Sequence, residues 1–245
     1  MRNTNFILNV YEKKNSSSKL ATQLLYGENF IIKNNYLNWI KIKTKYDNYI
    51  GYIKKKKFKP RVTNTHKVNK LFAPIYKGPN ESSKIKSKIS FCSFIRVIDK
   101  KNNFYKFDNY WIKKKDVNLI KNKINIFSKM KIFKNVKYKW GGTSFKGIDC
   151  SALIQIFYKF NGRFCPRDTK DQIRYFKKNV KINNIKKNNL IFWKGHVAIC
   201  LSKNNLIHAY GPKKKVLIMD IKKTIKEIKT KSKLEIKSIK KNGSN

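Results

Sequence analysis

The clearest pattern of apolar and polar positions along the chain follows residue 149. Apolar side chains recur there at the spacing of one helix face, at Leu153, Ile154, Phe157 and Phe160. The residues just before them suit a helix N-terminus, because Asp149 or Ser151 can accept hydrogen bonds from the first turn. The pattern therefore predicts a helix that begins at Cys150.

Beyond Pro166 the pattern changes to short apolar runs that are typical of strands. These runs cover residues 190–193, 196–201 and 206–209, and residues 202–205 form a plausible turn between the last two. Farther on, the lysine-rich end of the chain alternates in part, and residues 234–236 are a candidate final strand. One helix followed by antiparallel strands predicts an α+β second half.

The first half of the chain contains a weak internal repeat. Tyr46-Asp47-Asn48-Tyr49 recurs as Phe107-Asp108-Asn109-Tyr110, and each copy precedes an aromatic-Ile-Lys-Lys-Lys run. Short apolar segments between polar turns, about five in ~60 residues, are typical of a small antiparallel barrel. We therefore predict two such modules, residues 1–59 and 60–121, before an α+β domain at 122–240. The alternative is a hairpin turn signal that a low-complexity chain repeats by chance.

The composition is strongly basic. Lys and Arg number 59 against 13 Asp and Glu, a formal net charge of +46, while 40% hydrophobic residues are too many for a disordered basic tail. Only six of the 59 are Arg, the better residue for bidentate recognition of phosphates and bases, so we expect no specific nucleic-acid partner. Because Gly and Pro are scarce as well, we interpret the high lysine content as compositional drift in an A/T-rich genome. The alternative is that the positive charge serves to bind an anionic partner.

Targeting signals and cysteine spacing bear on the compartment. No run of ~18 apolar residues occurs, and the N-terminus lacks the cleavage site of a signal peptide. The four cysteines form no Cys-x-x-Cys pair, which a zinc ribbon or a thioredoxin motif would need. We therefore expect a reduced, cytoplasmic protein without a membrane span, a metal or a cofactor, and we expect a monomer.

Cys150 is the candidate nucleophile. A helix N-terminus exposes a thiol to unpaired N–H groups and to the positive end of the helix dipole, which favour the thiolate and could receive an oxyanion. His196 and His208 flank the predicted hairpin, so antiparallel pairing brings them to neighbouring strands, one as base and the other as its orienter. His66 is expected at the surface. The alternatives are a structural thiol and two half-buried histidines, and a metal site lacks a third ligand.

Five sequence blocks resemble the NlpC family of papain-like cysteine peptidases in residues and in order. They are Tyr138–Gly142, Gly147–Ser151, Cys165–Thr169, Leu190–Val197 and Ile207–Ala209. The first half resembles the paired bacterial SH3-like domains that precede this catalytic domain in some members, most clearly over Ala21–Glu28. The resemblance implies an α+β papain-like catalytic domain preceded by two small all-β SH3-like barrels, organised as in γ-D-glutamyl-L-diamino acid endopeptidases of the dipeptidyl-peptidase VI type.

The resemblance also implies roles for particular residues. Cys150 would be the nucleophile, His196 the base and His208 the group that orients the base, while Tyr138 occupies the family's active-site tyrosine position. The positions that match substrate-binding residues are Asp149, Ser151, Trp140, Asp168 and Thr169. In relatives that act on free N-termini, the positions of Asp149 and Ser151 bind the substrate's α-amine. An acidic residue of an SH3-like domain completes that pocket in some relatives, and the choice between Glu28 and others stays open.

Four residues at three sites depart from the family's pattern. Ala152 and Ala198 stand where Gly is usual, and Asn188-Asn189 replaces Gly-Asp. A Gly-to-Ala change costs little where φ is negative and much where φ is positive. No departure removes a reacting group.

The resemblance therefore implies a cysteine peptidase of short peptidoglycan-derived peptides. It would hydrolyse the bond between γ-D-glutamate and a diamino acid in peptides with a free N-terminal amine. Two other classes stay open. One is a non-catalytic wall- or anion-binding protein that uses its SH3-like modules and lysines, and the other is an amidase or acyltransferase on the same scaffold.

Overall fold

A computed structural model of the protein describes residues 1–243. Its first part, the first β unit, is an antiparallel sheet in the order β2-β1-β5-β4-β3. The strands are β1 Ile7–Tyr11, β2 Leu20–Leu25, β3 Phe30–Asn35, β4 Trp39–Thr44 and β5 Ile50–Lys54. Alternate residues of β4 are buried, among them Ile40 and Ile42, because successive side chains of a strand point to opposite faces.

The second β unit follows with eight short strands. They are β6 His66–Val68, β7 Phe72–Tyr76, β8 Lys84–Ser90, β9 Phe94–Ile95, β10 Asp99–Lys101, β11 Phe104–Phe107, β12 Tyr110–Lys113 and β13 Val117–Leu119. Five of them form a sheet in the order β10-β11-β12-β7-β8, and the other three a sheet in the order β13-β6-β9. The two Asp-Asn repeats both lie in turns between consecutive antiparallel strands, β4–β5 and β11–β12.

The rest of the chain is an α+β unit, which we count from residue 122. Its elements are β14 Thr143–Ser144, β15 Gly147–Ile148, α1 Cys150–Phe160, α2 Thr169–Tyr175, β16 Leu190–Trp193, β17 His196–Cys200, β18 Asn205–Tyr210, β19 Lys215–Asp220, α3 Ile221–Ser232 and β20 Ser238–Lys240. Short 3-10 turns of this unit lie at 130–133, 182–184 and 211–213, and another, at 114–116, precedes β13 in the second β unit. An all-β SH3-like region followed by an α+β domain confirms the predicted fold class, while the predicted boundaries after residues 59 and 121 stay a prediction.

One hydrophobic core joins α1 to its own sheet and to the second β unit. The sheet has the order β19-β18-β17-β16-β20, and α1 packs against β17 and β18. The ring of Phe91, from the second β unit, stacks on that of Phe160 at the end of α1, with centroids 4.7 Å apart. Burial of this size holds α1 in place, since each large aromatic side chain removed from water contributes about 1.5–3 kcal/mol.

Two expectations from the sequence are wrong. Residues 234–236 are not a strand, because the lysine-rich end forms α3 and the final strand is β20. The apolar side chains of α3 recur at helical spacing, at Ile221, Ile225 and Ile228, and the lysines between them give the partial alternation. His66 is buried rather than exposed, because β6 lies between β13 and β9.

The positions that depart from the family's pattern are compatible with the backbone. Ala152 lies in α1 and Ala198 in β17, and neither has a positive φ. Asn188 has a φ of 70°, in the left-handed region that Gly favours and that Asn tolerates better than most residues. Among the helices in residues 1–243, none is long and apolar enough to span a membrane.

Candidate active site

Cys150 is the first residue of α1, and its side chain is buried with 6% exposure. Its Sγ lies 4.0 Å from Oγ1 of Thr169 and 3.9 Å from the carbonyl oxygen of Gly195. The first N–H groups of a helix have no intrahelical acceptor. The N–H groups of Cys150 and Ser151 therefore offer donors beside the thiol.

Asp149 fixes the start of this helix. Its Oδ1 accepts a hydrogen bond from the N–H of Ala152 at 2.8 Å, as an N-cap residue does. The same carboxylate forms a bidentate pair with the guanidinium of Arg167, at 3.0 and 2.5 Å, and both side chains are buried. Nε of Arg167 donates to Thr22 of the first β unit at 2.9 Å. Breaking such a buried pair costs about 3–5 kcal/mol, so the pair holds the helix start against the first β unit.

Gly141 is required by this arrangement. Its φ is +70°, and its N–H donates to Oδ2 of Asp149 at 2.9 Å. A Cβ at this position would lie 2.4 Å from the carbonyl oxygen of Leu20. Any other residue would therefore push the first β unit away from the loop that precedes the thiol.

His196 and His208 lie on neighbouring strands, β17 and β18, as predicted for a base and its orienter. Nε2 of His196 and Nδ1 of His208 are 2.9 Å apart. The ring of Tyr210 stacks on His208, with centroids 4.7 Å apart, and Nε2 of His208 is 3.4 Å from Sδ of Met219. Because Nε2 of His196 is occupied, its Nδ1 is the nitrogen left to take a proton.

Burial governs the protonation of both reactive groups. It raises the pKa of the Cys150 thiol to about 11, and the charge of Asp149 adds to the rise, against hydrogen bonds to Val197 and Thr169. Burial also lowers the pKa of His196 to about 4. Desolvation therefore acts against the helix-start donors, which the sequence predicted to favour the thiolate. Both shifts favour the uncharged forms, the thiol of Cys150 and the neutral imidazole of His196.

The thiol opens into a pocket of about 250 Å3 that contains most of the predicted site residues. Those that line it are Tyr138, Trp140, Asp149, Cys150, Ser151, Asp168 and Thr169. Trp140 is 61% exposed and stands at the pocket's edge. Burial raises the pKa of Tyr138 and that of Asp168. His196 and His208 do not line this pocket, and their roles, like those of the other residues, stay predictions.

The structure adds three residues that the sequence did not single out. Glu12 and Tyr49, both from the first β unit, line the pocket, and Oη of Tyr49 donates to Oδ2 of Asp168 at 3.2 Å. Arg167 lines it as well. A signal for Arg167 was present, because it is one of six arginines among 59 basic residues and its guanidinium geometry is what a bidentate partner of a carboxylate needs.

Glu28 does not line the pocket at the thiol. Its carboxylate pairs with Lys159 of α1 at 2.6 Å and accepts from the N–H of Leu25. Glu12 is therefore the acidic residue of the first β unit that reaches the predicted amine pocket.

Two family models match parts of the chain. Residues 135–234 match the model of the NlpC/P60 family, and residues 10–58 match that of the bacterial dipeptidyl-peptidase Sh3 domain. The chain is 26% identical over 236 residues to a gamma-D-glutamyl-L-lysine dipeptidyl-peptidase of Bacillus subtilis, covering 85% of this chain and 78% of that protein. It is 26% identical over 228 residues to dipeptidyl-peptidase 6 of Lysinibacillus sphaericus, covering 82% and 84%.

A solved structure shows the same fold over the whole chain. It is that of an NlpC/P60 family protein from Bacillus cereus, with a TM-score of 0.82 and 20% sequence identity, and 98% of each chain is covered. The order of the β units and the α+β unit is therefore shared with that protein.

Proposed function

We propose that this protein cleaves cell-wall-derived peptides. It contains an NlpC/P60 domain, the domain of a family of cysteine peptidases, behind a bacterial dipeptidyl-peptidase SH3 domain. The bond it hydrolyses joins γ-D-glutamate to a diamino acid, and the substrate carries a free N-terminal amine. The names of the relatives from Bacillus subtilis and Lysinibacillus sphaericus support this substrate class.

The reaction is acyl transfer through Cys150. Nδ1 of His196 takes the thiol proton as Sγ attacks the γ-carbonyl carbon, and N–H groups at the start of α1 stabilise the oxyanion. The imidazolium then protonates the leaving amine of the diamino acid, and a thioester remains. Water, deprotonated by His196, releases the acyl group and restores the thiol. His208 keeps Nε2–H of His196 engaged throughout.

The observation that carries the proposal is that three carboxylates line the pocket at the thiol, although the protein as a whole is strongly basic. They belong to Glu12, Asp149 and Asp168. Asp149 is occupied by Arg167, Gly141, Ser151 and Ala152. Within residues 1–243, no basic side chain lies within 4.0 Å of the carboxylates of Glu12 or Asp168. A cationic group of the ligand would therefore find its partners there.

We therefore place the substrate's amine at these two carboxylates, and not at Asp149 and Ser151 as the resemblance implied. Asp149 and Ser151 are held in internal hydrogen bonds, so in our proposal they shape the pocket, and Asp168 with Glu12 receives the ammonium. Trp140, Tyr138 and Thr169 line the remaining walls. At about 250 Å3 the pocket is smaller than the roughly 300–1,000 Å3 of sites for drug-sized ligands, which suits the end of a short peptide.

The domain division and the compartment complete the proposal. We assign residues 1–59 and 60–121 to two SH3-like domains and residues 122–240 to the peptidase. The four cysteines are unpaired, which accords with a reducing compartment and with recycling of wall peptides in the cytoplasm.

The test uses the full chain and one tripeptide in two forms. The tripeptide has a γ-linked D-glutamate in second place and L-lysine in third, with its N-terminal amine either free or acetylated. We expect lysine to be released only from the tripeptide with the free amine, and mass spectrometry measures this release. Cys150→Ala abolishes release and leaves the circular dichroism spectrum unchanged. The matched control is Cys200→Ala, a buried thiol of β17, which keeps turnover.

Each arm has an outcome that contradicts one part of the proposal. Lysine release by Cys150→Ala would remove the thiol mechanism. Equal cleavage of the acetylated tripeptide would remove recognition of the amine. Cleavage at a different bond, or transfer of the acyl group to an added amine in place of water, would favour an amidase or acyltransferase.

A further inference from the structure

A second cavity, about twice the volume of the pocket at the thiol, lies where the three units meet. Its volume is about 500 Å3, and we name it the junction cavity. Its walls come from the first β unit at 22–24, 27–29 and 44–47, from the connector 61–64, and from the end of α1 with the residues after it. It shares no lining residue with the pocket at the thiol, so it is a separate site.

The junction cavity is positively charged. Five basic side chains line it, against the two acidic side chains of Glu28 and Asp47; the basic ones are Lys45, Arg61, Lys67, Lys159 and Arg163. Both acids are occupied from within, since Glu28 pairs with Lys159 and Asp47 accepts from Nε2 of Gln155 at 2.7 Å. Among the residues the structure describes, Lys45, Arg61 and Lys67 line the cavity without a carboxylate at ion-pair distance.

Lys67 is the most unusual of these cations. Its side chain is only 1% exposed, yet its Nζ donates only to backbone carbonyl oxygens, those of Phe160 at 2.6 Å and Ile120 at 2.9 Å. Within residues 1–243, no carboxylate lies within ion-pair distance of this ammonium. Burial, which costs a charged group hydration, lowers its pKa. An anion in the cavity would offset that cost.

Two side-chain oxygens in the same walls lack donors. They are Oδ1 of Asn29 and Oδ1 of Asn64, both buried, with no hydrogen-bond partner among the described residues. Buried acceptors are normally satisfied, because an unpaired polar group costs about 1–3 kcal/mol. The cavity therefore presents cations for an anion and acceptors for N–H groups.

We propose that the junction cavity binds a small ligand that carries both carboxylates and amide N–H groups, that is, a short anionic peptide or an acylated acidic amino acid. The carboxylates meet Lys67, Lys45 and Arg61, and the amide N–H groups donate to Asn29 and Asn64. The site is independent of turnover, because none of these residues lines the pocket at Cys150.

Occupancy would stabilise the assembly of the three units. Thr22 lines the junction cavity and also accepts from Arg167, and Gln155 lines it from α1. A ligand that binds the folded chain and not the unfolded chain raises stability by mass action. Ligand binding and an upward shift of the unfolding temperature should therefore saturate together.

The experiment uses N-acetyl-glutamate, which has two carboxylates, one amide N–H and no amine for the pocket at the thiol. Isothermal calorimetry should show saturable binding, and the uncharged diamide of the same compound should not bind. The double variant Lys45→Gln/Arg61→Gln, at two exposed positions, should raise Kd at least about tenfold, as a loss of 1.4 kcal/mol does. The matched control Lys54→Gln/Lys57→Gln removes the same charge outside the cavity and should change Kd less than about twofold.

Lys67→Met tests the buried ammonium directly and should abolish binding, with folding checked by thermal unfolding. If that variant does not fold, the double variant decides. The proposal is overturned if the unmodified protein shows no saturable binding, if the diamide binds equally, or if Lys45→Gln/Arg61→Gln binds as tightly as its control. None of these readouts depends on peptidase activity, so the two proposals can fail separately.

Discussion

The first and second β units are both all-β and carry the same Asp-Asn turn, but they serve the α+β unit in different ways. Glu12 and Tyr49 of the first unit line the pocket at the thiol, and among the described residues the second unit supplies none of its lining. The second unit instead supplies Phe91 and Cys92 to the hydrophobic core around α1.

The repeated turn shows how one sequence signal acquires two uses. Asp47 accepts from Gln155 of α1 at 2.7 Å, so the first turn is tied to the helix that carries the thiol. Asp108 accepts from Arg2 at 2.9 Å and from Tyr26, so the second turn is tied to the first β unit. Position relative to α1, rather than the turn itself, decides which copy contributes to the site.

The largest effect should come from the contact that joins the first unit to the helix start. Arg167→Met removes the partner of Asp149 and of Thr22, leaving a buried carboxylate unpaired. We expect a loss of about 3–5 kcal/mol in the free energy of unfolding and a fall in kcat/KM of roughly 10²–10³-fold as the oxyanion donors lose their position. Urea unfolding and steady-state kinetics measure the two losses. Arg174→Met, at an exposed position, is the control, and equal losses there would contradict this role.

The α+β unit and the second β unit also differ in their thiols. Because burial raises the pKa of Cys150 to about 11, its thiolate fraction, and so its alkylation by iodoacetamide, should rise about tenfold for each pH unit between pH 6 and 9. Cys92 of the second unit is fully buried, with a pKa raised to about 12, and should stay unmodified in the folded protein. Peptide mass mapping separates the two sites. An alkylation rate at Cys150 that is flat over this range would show a resting thiolate.

The second unit should matter for stability and not for substrate binding. Phe91→Ala leaves a cavity against Phe157 and Phe160 and should lower the free energy of unfolding by about 3–5 kcal/mol. KM should not change, because Phe91 does not line the pocket. Phe72→Ala, at a 38% exposed position in the same unit, should cost much less. A raised KM for Phe91→Ala would show that the second unit also shapes the pocket.

The smallest effect is expected from the tyrosines of the two repeat copies, Tyr49 and Tyr110, which should differ in their influence on kcat/KM. Tyr49→Phe removes the hydroxyl that donates to Asp168, and we expect kcat/KM for the free-amine tripeptide to fall about tenfold, the loss of one hydrogen bond to a charged group. Tyr110→Phe alters the corresponding residue of the second copy and should leave kcat/KM unchanged. Equal effects of the two substitutions would mean that Tyr49 of the first unit has no specific role in substrate binding at the pocket.

The sequence predicted what depends on local periodicity. The start of the helix at Cys150 and both ends of the strands β16, β17 and β18 were predicted within one residue, because their apolar spacing is regular. The Asp149–Arg167 pair was not predicted, since it joins residues 18 apart across a loop and no spacing rule specifies it. The burial that raises the pKa of the Cys150 thiol was not predicted for a related reason. A helix N-terminus is visible in the sequence, whereas burial depends on everything that packs around it.

The short strand β20 bears on self-association. It pairs with β16, whose four residues are all buried, and so gives partners to the outer backbone groups of the most apolar strand in that sheet. An apolar strand with an unpaired edge is a template for β-addition by a second molecule. Keeping Ser238–Lys240 in shortened or fused forms of the protein therefore protects against aggregation through that edge.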